Sequence, residues 1–325
     1  MINQVGAKQR MRPAPLVSWV WALAVVATLL SRPPEILGIE VPHSEAFQDF
    51  NGPRLDAFGS GTPTQSASGP EPLRVVALGN SRLKHATFDD HRFGDFAAAL
   101  GEERIAYLRI VNNWAVFKDF ELLSERILSL EPDVVVLQLE LLGLERGALG
   151  RARLTREYII WRLAGFGPWN PRNVDQDELQ FHKPCTNIQT EDALSRRLDR
   201  TYEWLHDDTA AESARLAREF IAKASSLGIG VILLGIPMTE RMEQKRPSNP
   251  QNLLEIAREL EAETKGVIYL NYPEVLPDDR YCDFVHMNKS GREEFSAWLV
   301  RELVRLARKA LPQAHPQAAE SPASD

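Results

Sequence analysis

Ser81, Asp283 and His286 are residue types that can activate a hydroxyl for attack on an ester. A serine needs a base to take its proton, and an imidazole works best as that base when a carboxylate holds its other nitrogen. Asp283 and His286 are three positions apart, close enough for the carboxylate to fix the imidazole tautomer while the far ring nitrogen faces a serine. Ser81 stands 202 positions before Asp283 (283 − 81) in Gly79-Asn80-Ser81-Arg82, directly after the apolar run LRVVAL at 73–78. A serine on a strand-to-helix turn presents its hydroxyl and its backbone N–H at one spot, supplying a nucleophile and one oxyanion donor. The same triplet also suits an ordinary turn with a helix N-cap.

Four further β-branched or apolar runs follow: RIAYLRIV (104–111), DVVVLQL (133–139), IGVILLGI (229–236) and GVIYLN (266–271). Continuous runs of this kind suit strands buried on both faces of a parallel sheet. Helical spacing appears between them, in Phe120, Leu123, Ile127 and Leu130 and in Ala214, Ala217, Phe220, Ile221 and Ala224. A last helix follows His286, with Phe295, Trp298, Leu299, Leu303 and Leu306 as its apolar stripe. Strands alternating with helices predict a doubly wound α/β sheet of about five strands, with ligands beyond the carboxyl ends of the strands.

The 325 residues divide unevenly around this core. Lys8, Arg10 and Arg12 precede an uncharged stretch, Pro13–Ser31, so residues 1–32 read as a signal anchor with the N-terminus in the cytoplasm and the rest outside it. A cleaved export signal is the alternative. Residues 33–72 read as linker, since 59–72 holds 3 Gly, 3 Pro, 3 Ser and 2 Thr. The folded domain is expected at 73–310, interrupted by an inserted helical and loop segment at 143–210, and 311–325 reads as a disordered tail. Trp169, His182 and Lys183 in the insertion could line a sugar site.

A formal net charge of −7 and no basic run beyond the first dozen residues exclude nucleic acid as the main partner. His85 and His91 have only Asp89 and Asp90 at hand, so no metal site and no cofactor is expected. The chain has two cysteines, Cys185 and Cys282, which allow one bridge tying the insertion to the residue before Asp283. Two separate buried thiols are the other reading.

Taken together, Gly79-Asn80-Ser81 and Asp283-x-x-His286 with Asn288 and Gly291 resemble the first and last blocks of the SGNH (GDSL-like) hydrolase superfamily, with Asn for the usual Asp at position 80. The resemblance spans about 73–306. It implies a three-layer α/β/α sandwich of flavodoxin-like order, with Ser81 as nucleophile, His286 as base and Asp283 as orienting acid. It also implies hydrolysis or transfer of an O-linked acyl group through a serine ester. An anchored domain of this kind is similar to envelope proteins that O-acetylate exopolysaccharides, so a polysaccharide or other acylated envelope glycan is the expected substrate and a membrane acyl-donor protein a candidate partner. The alternative is a catalytically weak or inactive scaffold or carbohydrate-binding protein assisting a membrane acyltransferase. A generic lipase ranks third, because no apolar lid motif is visible.

The middle blocks depart from the family pattern. Where the family has a glycine donor after the second strand, this chain reads Asn112-Asn113-Trp114. Where it has an asparagine after the third, this chain reads Gln138-Leu139-Glu140. One lost oxyanion donor costs about 2.7–4 kcal/mol of transition-state stabilisation. Asn112, Asn113 or Gln138 could compensate from a shifted loop, whereas an ionised Glu140 would repel an oxyanion. Arg82 is expected to be an exposed arginine at a helix start, with a glycan carboxylate or phosphate as its other possible partner.

Overall fold

The computed structural model describes residues 43–60, 71–102, 104–113, 115–143, 210–245 and 249–310. The N-terminal segment, the insertion with Trp169, His182, Lys183 and Cys185, and the tail from 311 lie outside the described residues. No helix among the described residues is long and apolar enough to cross a membrane.

In chain order the elements are α1 (His43–Ser60), β1 (Leu73–Gly79), α2 (Ser81–Ala86), α3 (Asp90–Ala99), β2 (Ile105–Val111), α4 (Glu121–Ser129), β3 (Val134–Gln138), α5 (Ala210–Ser226), β4 (Gly230–Gly235), α6 (Glu240–Lys245), α7 (Asn249–Glu263), β5 (Val267–Asn271) and α8 (Lys289–Ala310). All four strand pairings are parallel and the order is β2-β1-β3-β4-β5. This is the predicted α/β sandwich. Each of the five predicted strand runs is found, shortened or extended by one or two residues at its ends.

Strand periodicity divides the core. Val76, Leu78, Val135, Leu137, Val231 and Leu233 face α1, α4, α5 and α7 through Leu55, Leu123, Phe220 and Leu253. The alternating Val75, Ala77, Val136, Ile232 and Leu234 face α2, α3 and α8 through Leu83, Phe93, Phe295 and Leu303. Strands buried on both faces explain why their sequences are continuously apolar. In the last helix Phe295, Leu299 and Leu303 are fully buried as the stripe predicts, while Trp298 and Leu306 only flank the core.

One boundary is corrected. Residues 33–72 read as linker in sequence, yet 43–60 form α1, with Phe47 and Leu55 buried and Phe47 edge-on to Phe120 at 4.9 Å. Arg54 ties this helix to the body by bonding Asp90 Oδ2 at 2.6 Å and the Arg109 carbonyl at 2.7 Å. Gly52 and Pro53 inside the helix break the local pattern that would have announced it.

The chain passes from β1 outward to β2 and then back across to β3 on the other side of β1. That reversal makes the carboxyl ends of β1 and β3 the switch point where a crevice opens. Ser81 follows β1 at this point.

Candidate active site

β1 ends at Gly79, where a side chain has no room. A Cβ there would lie 2.6 Å from Leu83 Cβ and 2.7 Å from Gln138 Oε1, so only glycine lets the turn close against β3. Asn80 caps α2, with Oδ1 accepting from the Arg82 N–H at 2.9 Å. The turn reading and the functional reading of Gly-Asn-Ser are therefore compatible. The cap holds the helix start, and Ser81 occupies its first position with a backbone N–H that has no carbonyl partner within the helix.

Asp283 and His286 lie on a loop between β5 and α8 that is closed on itself. Tyr281 and Met287 form an antiparallel bridge, and the Cys282 N–H donates to the His286 carbonyl at 2.8 Å. Asp283 Oδ1 accepts the N–H groups of both Val285 and His286 at 2.8 Å. From behind, Thr239 donates to the Phe284 carbonyl through its N–H at 3.1 Å and its hydroxyl at 3.3 Å. Asn288 caps α8 by accepting from the Gly291 N–H at 3.1 Å. Gly291 is required because a Cβ would sit 2.3 Å from the Arg280 carbonyl oxygen.

These two loops bring the three predicted side chains together. His286 Nδ1 lies 2.8 Å from Asp283 Oδ2, and His286 Nε2 lies 2.9 Å from Ser81 Oγ. A carboxylate can only accept, so Nδ1 carries the proton and Nε2 presents its lone pair to the serine hydroxyl. The His286 and Asp283 side chains keep 17% and 37% of their surface, so the site is open to a ligand.

The other candidates fall elsewhere. Arg82 is buried rather than exposed at a helix start. Its guanidinium donates to Glu140 Oε1 and to the Ile236 carbonyl, linking the carboxyl ends of β1, β3 and β4. Glu140 is thus ion-paired with Arg82 instead of facing an oxyanion, and this pairing removes the repulsion expected from its charge. Gln138, fully buried, donates Nε2 to Asn80 Oδ1 and to Glu140 Oε2, both at 3.0 Å, and accepts the Asn80 N–H at 2.8 Å. Both amide protons are committed, so Gln138 braces the serine turn and does not supply an oxyanion donor. Asn112 and Asn113 follow β2 as partly buried residues, and neither is hydrogen-bonded to Ser81, Asp283 or His286. Cys282 is disulfide-bonded, and the chain's one other cysteine, Cys185, lies outside the described residues.

His85, which its sequence neighbours suggest only as a metal-ligand candidate, lies beside the site. Its ring packs on His286 with centroids 4.5 Å apart, at 42°. Burial, then the neighbouring charges of His286, Arg292 and Lys84, push its pKa well below the ordinary histidine value, with Asp283 opposing. The signal for it was its position, one helical turn after Ser81.

The depressed value has a consequence for stability. An unfolded chain protonates His85 below about pH 6.5 while the folded one leaves it neutral, so the unfolded state binds more protons there. Stability is therefore expected to fall as pH drops from about 6.5 toward the folded value, by at most about 1.4 kcal/mol per pH unit from this group. Urea unfolding of the native protein and His85→Phe across pH 5 to 7.5 checks it: the variant should lose that component of the slope, and equal slopes would disprove the assignment.

No family model matches the sequence, and no curated protein matches it. Among solved structures, the fold is similar to a GDSL-like lipase from Bacteroides thetaiotaomicron, at 17% identity over 82% of this chain and 100% of that one with a TM-score of 0.40. It is also similar to the C-terminal catalytic domain of Streptococcus pneumoniae peptidoglycan O-acetyltransferase A, at 12% identity over 75% and 97% with a TM-score of 0.34. A family two carbohydrate esterase from Clostridium thermocellum is matched at 10% identity over 75% and 66%, with a TM-score of 0.36. The chain's strand order, a serine two residues past the first strand and an Asp-x-x-His block before the last helix, joined to that serine through hydrogen bonds, give the α/β sandwich and the side-chain convergence that its resemblance to the SGNH (GDSL-like) hydrolase superfamily implies.

Proposed function

We propose that this protein is a serine-dependent acyl ester hydrolase or O-acyltransferase, with O-acetyl as the acyl group and a cell-envelope or exported polysaccharide as substrate. The observation that carries the reading is the unbroken relay from Ser81 Oγ through His286 to Asp283, at 2.9 and 2.8 Å. His286 Nε2 takes the Ser81 proton as Oγ attacks the ester carbonyl, and Asp283 stabilises the imidazolium that forms. In this mechanism the Ser81 N–H serves as a donor to the developing oxyanion. His286 then returns the proton to the leaving alkoxide, leaving an acyl-Ser81. Water resolves this ester in a hydrolase, and a sugar hydroxyl does so in a transferase. The basic-then-apolar segment before residue 33 supports placing the domain outside the cytoplasm, anchored or secreted.

The commitment of both Gln138 amide protons favours a second reading, a weak or inactive scaffold that assists a membrane acyltransferase. Fluorophosphonate labelling separates the two. Native protein should label at Ser81 and release acetate from p-nitrophenyl acetate, and Ser81→Ala should do neither. A folded native protein that resists the probe would leave the scaffold reading standing.

A further inference from the structure

His286 is held at both ring nitrogens, by Asp283 at 2.8 Å and by Ser81 at 2.9 Å. Two hydrogen bonds on opposite sides of a ring define an axis, and they do little to oppose rotation of the ring plane about it. A group packed on the face of the ring removes that freedom. His85 is the ring packed against His286, with centroids 4.5 Å apart and the two planes tilted by 42°. It stands four residues after Ser81 in α2, and residues at that spacing share a helix face, so one helical turn supplies both the hydroxyl bonded to His286 Nε2 and the ring packed against the imidazole. The turn is tied to the far side of the site as well. Arg292 of α8 donates Nε to the His85 carbonyl at 3.2 Å, and its guanidinium lies over Phe88 at 5.9 Å.

We propose that His85 is a positioning residue that backs the His286 imidazole and keeps its Nε2 lone pair on Ser81 Oγ. This deepens the serine-hydrolase reading of the same site and rests on it. Among the described residues, the charged and titratable groups around His85 are His286 and Asp283 on the loop, Arg292 on α8 and Lys84 on its own helix, and of these only Asp283 favours a proton on His85. His85 therefore stays neutral when His286 takes up the serine proton. A neutral ring then lies beside the new imidazolium, so His85 itself adds no like charge there.

The test uses the full chain with His85→Ala, His85→Phe and His85→Leu, the last as a second filler of the space. The readouts are the fluorophosphonate labelling rate and the low-field proton resonance of His286 Nδ1–H, assigned by its loss in His286→Gln. Opening the ring face in His85→Ala is expected to slow labelling about tenfold or more, since misplacement of about 1 Å can cost a hundredfold. It should also broaden the Nδ1–H signal through exchange with water. His85→Phe should restore the sharp signal and bring the rate to within about threefold of native, because a ring of similar shape returns to the same face. His85→Leu should restore the signal in part. A sharp signal and native labelling rate in His85→Ala would overturn the proposal, as would folded Phe and Leu variants no better than Ala. If native protein does not label at all, the serine-hydrolase reading fails, and the resonance comparison alone still decides whether His85 holds the ring.

Discussion

Asp283→Asn is expected to lower the turnover of p-nitrophenyl acetate by about four orders of magnitude, the loss that a wrong imidazole tautomer causes in a serine triad. The local geometry explains why an isosteric change should be so damaging here. Among the described residues, three donors converge on the two carboxylate oxygens: the Val285 and His286 N–H groups on Oδ1, and His286 Nδ1 on Oδ2. Asparagine offers one oxygen. If that oxygen keeps the two backbone donors, the amide nitrogen faces His286 Nδ1 and donates to it, which moves the ring proton to Nε2. The ring then points a hydrogen at Ser81 and cannot accept one. If the amide flips, its two N–H bonds meet two backbone N–H groups, and the loop that places the histidine loses both anchors. KM should change little, because Asp283 is not asked to touch the substrate. Ser81→Ala and His286→Ala should each remove about as much activity as the two together, since the residues act as one unit. A folded Asp283→Asn protein within tenfold of native turnover would show that this carboxylate does not orient the base.

Ser81, Asp283 and His286, which the structure joins by hydrogen bonds, were legible because each is tied to an element boundary that local pattern reveals. Ser81 closely follows a continuous apolar run, and Asp283-x-x-His286 precedes a helix with a clear buried stripe. Their mutual distance was not in the pattern; it followed from parallel strands delivering both loops to one edge of the sheet. Arg82 was misread for a related reason. Burial of a charged side chain depends on its partner, and Glu140 is 58 positions away, where no periodicity points to it. Gln138 was weighed as an oxyanion donor because its type and place suit that role. Only the hydrogen-bond directions, fixed by the Asn80 and Arg82 backbone N–H groups, show that its amide is spent on the turn. Helix α1 was hidden by Gly52-Pro53, and its stability comes from tertiary packing through Phe47 and Leu55 rather than from propensity.

The buried Arg82–Glu140 pair should give the largest stability effect of any polar substitution in the site. Its side chains keep only 10% and 9% of their surface, so neither charge can be rehydrated without disturbing the strand ends. Glu140→Ala leaves the Arg82 guanidinium with the Ile236 carbonyl as its acceptor, and also takes away the Oε2 that receives Gln138 Nε2. Breaking one side of a buried pair costs about 3–5 kcal/mol, because the remaining charge stays desolvated. For a domain of this size that corresponds to a fall in melting temperature of roughly 6–20 °C. Arg82→Met should cost a similar amount by stranding the carboxylate beside Gln138. The double variant Arg82→Met with Glu140→Leu should recover most of the loss, since apolar groups of similar volume replace a buried ion pair at little net cost. Turnover should not recover with it: without Glu140, one of the two acceptors that orient the Gln138 amide is gone, and Gln138 is what holds the Asn80 backbone N–H and carboxamide at the serine turn. Thermal unfolding and p-nitrophenyl acetate turnover on the three variants measure both halves. Single variants that each cost less than about 1 kcal/mol would mean that the pair is solvated in solution and braces nothing.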